Sequence, residues 1–399
     1  MKRLFDAPHR LFFFAAVLQL LLASAWWTWV LVARSRGIPA PLGEGLDAPR
    51  VHAFLMIYGF FPLFIFGFLF TAGPRWLGMP PPAVREYAPP GILVGAAGIL
   101  LHPALALGAG ATAIVATALL AGWIWILARF VALIRASAAP DRLHARLAAF
   151  ALSIGTVGLA AMPVWLVTRA PEAVTVMEIA GLWGFLVPLF STVCHRMIPF
   201  FTTSVVPFLP PWRPGFALAV LVGGSYAHGL ALALGLERWL WVVDAPLALA
   251  VFAFALRWGI AQSFASRLLA MLHIGFVWLG VAYLLHAVQS WLLYAGTITM
   301  GLAPVHALTI GFLSSLAMAM VSRVSCGHSG RSLAADRITW IAFLLLQAAA
   351  ILRVAADVWV NNYGTLLVVA IFVWFTGFAA WAWRYLPYYW RPRADGQAG

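Results

Sequence analysis

His52 opens the apolar stretch HAFLMIYGFFPLFIFGFLFTAGPRW and His306 opens HALTIGFLSSLAMAM, two of the ten histidines in a 399-residue chain that is otherwise 64% hydrophobic and 9% charged. An imidazole is costly to place in lipid unless it faces the protein interior and has a partner, so a histidine inside an apolar segment is a functional candidate. Neutral imidazole also ligates haem iron and zinc, copper or iron ions. The two cysteines, Cys194 and Cys326, add thiols but are too few for a disulfide framework.

The composition narrows what these groups can belong to. Soluble chains carry about 25% charged residues; a mean hydropathy of +0.94 instead implies a polytopic membrane protein. The net charge of +13 comes from basic residues spread singly between hydrophobic segments, with no aromatic-basic patch. It reports topology and excludes a nucleic-acid partner. The N-terminus, MKRLFDAPHRLFFFAAVLQLLLASAWWTWVLV, has the basic start of a signal peptide. Its apolar run exceeds the usual ~7–15 residues, so it reads as the first span.

A span needs roughly 20 apolar residues. Breaking the chain at Pro, Gly and charges yields twelve candidates, near 11–33, 48–72, 89–109, 111–134, 145–168, 178–202, 214–236, 238–258, 268–294, 302–322, 338–359 and 364–386. The expected fold is an all-α polytopic bundle of about twelve transmembrane helices, one transmembrane domain over 1–399 with short loops and no soluble domain. With the N-terminus inside, only Arg34, Arg36, Arg50, Arg169, Arg238 and Arg353 of the 25 basic residues fall outside the inner segments. Both termini are therefore expected in the cytoplasm. Trp and Tyr crowd the span ends, as interfacial belts do.

This topology sorts the histidines by depth. His52 lies about a turn into span 2, behind Asp47 and Pro49 as N-cap and first-turn residues; His306 lies about a turn into span 10, after Pro304. Both imidazoles are expected near the outer leaflet on parallel helices, the arrangement a bis-histidine haem requires. Arg353 is a cation for a haem propionate, or else the i,i+4 partner of Asp357. On the inner side, His195, His273 and His328 with Cys326 form a candidate metal site, since imidazole plus thiolate suits copper, zinc or iron. None of them has a close ligand spacing such as C-x-x-C. His102 and His228 fall in the outer half, to line the haem pocket or bond a neighbour. His286 is too far along its helix from His273, and off its face, to share a ligand sphere. His9 and His144 are expected at the surface. C-x-x-C-H is absent, so no covalently attached haem is expected.

The pattern H-A-F-x-M-I at 52–57, followed by Pro62, Gly67-Phe68 and Pro74, resembles the second helix of the catalytic subunit of haem–copper oxidases, whose leading histidine ligates the low-spin haem. This chain departs from that family where the binuclear centre would be: span 7 holds His228 without a paired histidine, and Leu308 stands two positions after His306. A fuller resemblance is to the NnrS family. It rests on PHRLFF at 8–13, HAFLMIYGFFPLFIFGFLFTAGPRW at 52–76, HRMIPFFT at 195–202, LHIGFVWLG at 272–280, and HALTIGF with SRVSCGHSGR at 306–331. The resemblance implies a bacterial inner-membrane protein holding haem b and copper, linked to denitrification, nitric oxide metabolism and resistance to nitrosative stress. Nitric oxide and an electron donor are its implied partners. His52, His273, His306, His328, Arg196 and Arg331 occupy the matching motif positions. A haem/copper oxidoreductase, a transporter for copper or a small anion, and an assembly scaffold all remain open at this point.

Overall fold

The computed structural model describes residues 2–40, 42–297 and 299–397, and these are helical with no strand among them. Twelve long helices carry the chain: α1 (Pro8–Ser35), α2 (Ala48–Trp76), α3 (Val84–Leu107), α4 (Ala109–Ala136), α5 (Leu143–Thr168), α6 (Pro171–Val205), α7 (Gly215–Ala233), α8 (Trp241–Arg257), α9 (Arg267–Tyr294), α10 (Ala303–His328), α11 (Arg337–Val358) and α12 (Val360–Trp390). Among the described residues, eleven are long and apolar enough to cross a membrane. The exception is α8, at 17 residues, about 26 Å of helix and the lower limit for a span. Its expected start, at 238, is taken up by a 3-10 turn at Glu237–Trp239. The protein is an all-α, multi-pass membrane protein whose environment is the lipid bilayer.

Local chemistry sets the helix starts. Asp47 caps α2, its carboxylate accepting the Arg50 N–H at 3.2 Å, with Pro49 in the first turn. Asp336 caps α11, accepting the Thr339 N–H at 2.9 Å. Such caps satisfy amide donors that the first helical turn leaves unpaired. Gly108, at φ +102°, reverses the chain between α3 and α4 with no intervening loop, a conformation that favours glycine. Three helices contain π-helical turns: Leu55–Phe60 in α2, Ala180–Leu186 in α6 and Ala307–Ser314 in α10.

The chain divides into two compact units. The first runs through Leu186 and includes Gly327–Arg331 and the chain from Tyr385 on; the second comprises Val187–Cys326 and Ser332–Arg384. In the first, Trp123 is fully buried, edge-on to Phe66 and Phe185, and its indole N–H donates to the Leu152 carbonyl at 3.2 Å. The Tyr58 hydroxyl donates to the Met177 carbonyl at 2.9 Å. Gly158 and Gly181 make that reach possible, since a Cβ at either would collide with the tyrosine. In the second, the Trp278 indole donates to Gln347 and Gln347 donates to Ser315, each at 2.8 Å. Gly311 lets α10 pass against the Trp278 ring.

Candidate haem and metal centres

The residues expected to carry chemistry fall into both units. His52 lies in the first and His306 in the second. His52 is half-buried and stacks on Trp27 of α1, ring centroids 4.0 Å apart and planes within 12°. His306 donates from Nδ1 to the Leu302 carbonyl of its own helix at 3.0 Å. That bond places the proton on Nδ1 and leaves the Nε2 lone pair as the ligand, the usual tautomer logic of a metal-binding histidine. A π-helical turn begins directly after His306 and three residues after His52. Such turns shift the following side chains around the axis and concentrate at functional sites. On donor chemistry, both imidazoles fit a haem iron. Arg353 is paired with Asp357 at 2.7 Å, both largely buried, so the i,i+4 ion pair forms.

The residues expected on the inner side have hydrogen-bond partners of their own. His195 donates from Nε2 to the Pro214 carbonyl at 3.1 Å. His273, fully buried, lies with Nε2 2.9 Å from the Thr202 hydroxyl, which itself donates to the Ile198 carbonyl. Thr202 is seven residues beyond His195 on α6, about 10 Å along the axis, so His273 meets α6 two turns away from His195. Cys326 is buried in the same unit. His328 belongs to the first unit, where its ring lies 4.6 Å from that of His9. His9 and His144, expected at the surface, are instead buried at 3% and 6% exposure. His9 follows Pro8 at the start of α1 and is covered by the Gly327–Arg331 segment of its own unit. His102 bonds Gln19 Oε1 at 3.2 Å.

A different set comes together. Among the described residues, the one group of three His, Cys, Asp or Glu side chains whose ligand atoms all lie within 4.8 Å of one another is His228, Asp244 and His286. All three belong to the second unit. The local structure explains the meeting. Gly235 closes a tight hairpin between α7 and α8, which brings His228, near the end of α7, level with Asp244, in the first turn of α8. The Trp241 N–H, a free donor at the start of α8, is taken by Ser290 Oγ of α9 at 3.0 Å. Ser290 lies one turn past His286 and Trp241 three residues before Asp244, so this bond sets the register that faces the two side chains. His228 donates from Nδ1 to Asp244 Oδ1 at 2.8 Å, and its ring stands at 75° to that of His286 with centroids 4.7 Å apart. His228 and Asp244 are fully buried and His286 is 8% exposed.

Sequence reasoning saw His228 and His286 singly and passed over Asp244. The signal was present: Asp244 is a carboxylate in an apolar segment, VVDAPLALAVFAFAL, and such a group is retained only with a partner. Comparison with known families and proteins gave one result of each kind. Residues 3–393 match the family described as NnrS protein. No curated protein matches the chain.

Proposed function

From the premise that this chain belongs to the NnrS family, we propose that it is a haem-bearing bacterial inner-membrane protein of nitric oxide metabolism that contributes to resistance against nitrosative stress. His52 and His306 are the residues that would hold the haem iron. The observation that carries this reading is the His306 Nδ1 bond to the Leu302 carbonyl, at the head of a π-helical turn, because it fixes the tautomer in which Nε2 is the ligand. His52 has the matching placement ahead of its own π-helical turn, and its stack on Trp27 restricts ring rotation.

Haem iron would supply one-electron chemistry there, and with both imidazoles bound nitric oxide would reach the iron only after one of them is displaced. The residues of this chain do the rest. His306 donates from Nδ1 to the Leu302 carbonyl, which makes Nε2 the nitrogen that would bind iron. The apolar residues Leu55, Ile57, Leu308 and Phe312, in the π-helical turns that follow the two histidines, are buried. Arg353, held by Asp357, keeps a guanidinium in the second unit with its charge already balanced. The protein is oriented with both termini in the cytoplasm and draws electrons from a separate donor.

The test is optical. Purified full-length protein, expressed with adequate haem supply, is expected to show a b-type reduced-minus-oxidised spectrum that shifts on addition of nitric oxide. His52→Ala and His306→Ala are each expected to abolish or shift it. A colourless wild type under those conditions sinks the proposal.

A further inference from the structure

We infer that His228, Asp244 and His286 form a binding site for a divalent first-row transition-metal ion, separate from the histidines proposed for haem. Two imidazoles and one carboxylate are the donor set of open zinc sites and of the facial two-histidine, one-carboxylate iron(II) sites. The three come from three different helices, α7, α8 and α9, and their ligand atoms lie within 4.8 Å of one another. The site needs only a small contraction around an ion bound at ~2.0–2.2 Å.

Asp244 supplies a second and independent observation. Its side chain is fully buried, and Oδ2 has no hydrogen-bond partner. Its one ion-pair partner within 4 Å among the described residues is His228. A carboxylate oxygen buried without a donor is the rare and costly case in folded proteins, and a missing ion is one of its few physical explanations. Two neutral imidazoles cannot balance the carboxylate charge; a divalent cation does so and satisfies the idle oxygen. Tyr283, one turn before His286 on α9, holds its ring 6.4 Å from His228 and closes the cluster on that side. The proton shared by His228 and Asp244 at 2.8 Å is the one that metal binding would displace, so uptake should release acid.

The experiment uses the full-length protein in lipid nanodiscs, stripped with a chelator and titrated with Co2+, whose visible bands report ligand geometry. The expected result is one equivalent bound with the intense bands of low-coordinate nitrogen and oxygen ligation, and proton release during the titration. His228→Ala and Asp244→Asn should each weaken binding on the order of tenfold or more, while His144→Asn keeps it. Absence of stoichiometric Co2+ binding in the wild type overturns the inference, as does full binding in His228→Ala. If the variants do not purify as single folded species, X-ray absorption at the Co edge of the wild type decides. Two imidazoles with carboxylate oxygen support the site, and thiolate ligation overturns it. Haem absorbance is read in the same samples: its loss with Co2+ binding intact rejects only the haem proposal, and the reverse outcome rejects only this one.

Discussion

Two histidine pairs, one in each unit, have similar ring spacing and opposite surroundings. His9 and His328 lie 4.6 Å apart by ring centroids, and His228 and His286 lie 4.7 Å apart. The first pair has Arg10, Arg75 and Arg393 as its electrostatic neighbours. The second has the carboxylate of Asp244. The charges that act on the first pair are guanidinium groups, which disfavour a cation there, whereas the second has the Asp244 carboxylate beside it. Proximity of imidazoles therefore does not identify a metal site in this protein; the sign of the buried charge beside them does.

The contrast is broken most directly by removing the charged partner on one side and the ring chemistry on the other. Asp244→Ala is expected to destabilise the second unit by about 3–5 kcal/mol, the usual cost of stripping one member of a buried pair. His9→Phe, which keeps a flat ring of comparable size, should cost less than about 1.5 kcal/mol because that site contributes packing. Thermal unfolding in a fixed detergent measures both; equal losses would erase the distinction.

A middle-sized effect is expected at Arg10, which is almost fully buried and donates from Nη1 to the carbonyls of Tyr389 and Arg391 at 3.4 and 3.0 Å. These carbonyls lie at the C-terminal end of α12, where a cation is favoured. Arg10→Met should cost about 2 kcal/mol and speed proteolysis of the C-terminal segment. The same substitution lowers the positive field around His9, so any gain of metal binding there would show that the arginines are what exclude it.

The smallest effect is at a helix cap away from both pairs. Asp336 is partly buried, which pulls its carboxyl upward. The Thr339 N–H and hydroxyl and the Arg384 guanidinium together outweigh this and hold it below the ordinary carboxylate range. A depressed folded-state value means the cap contributes fully above the unfolded value of about 3.9. Its contribution is lost as the pH falls through the folded value. Asp336→Ala should cost about 1 kcal/mol near neutral pH and almost nothing in acid, while Asp336→Asn should keep much of the cap and lose the acid dependence. Unfolding midpoints at pH 7 and pH 3 would test this.

Much of the architecture was legible beforehand because it depends on local or compositional terms. Apolar run length marks where spans lie, Asp47 and Pro49 mark a helix start, and Arg353 with Asp357 four residues on marks an ion pair along one face. The eighth span came out at 17 residues because a 3-10 turn at Glu237–Trp239 took its expected start. The candidate site was less legible. The grouping of His195, His273, His328 and Cys326 was inferred from depth alone, and depth says nothing about helix rotation. The hydroxyl of Thr202 and the carbonyl of Pro214 took two of those imidazoles in different directions.

The amino-acid sequence by itself determined that this is a multi-pass helical membrane protein of the NnrS family, with imidazoles committed to apolar segments. Those conclusions follow from hydropathy, caps and motif order, which act over a turn or a span. Tertiary structure decided that His228, Asp244 and His286 meet. These helices are apolar on nearly every face, so periodicity does not say which faces turn inward. Only the hairpin at Gly235 and the bond from Trp241 to Ser290 set the rotation and register that put one carboxylate between two histidines.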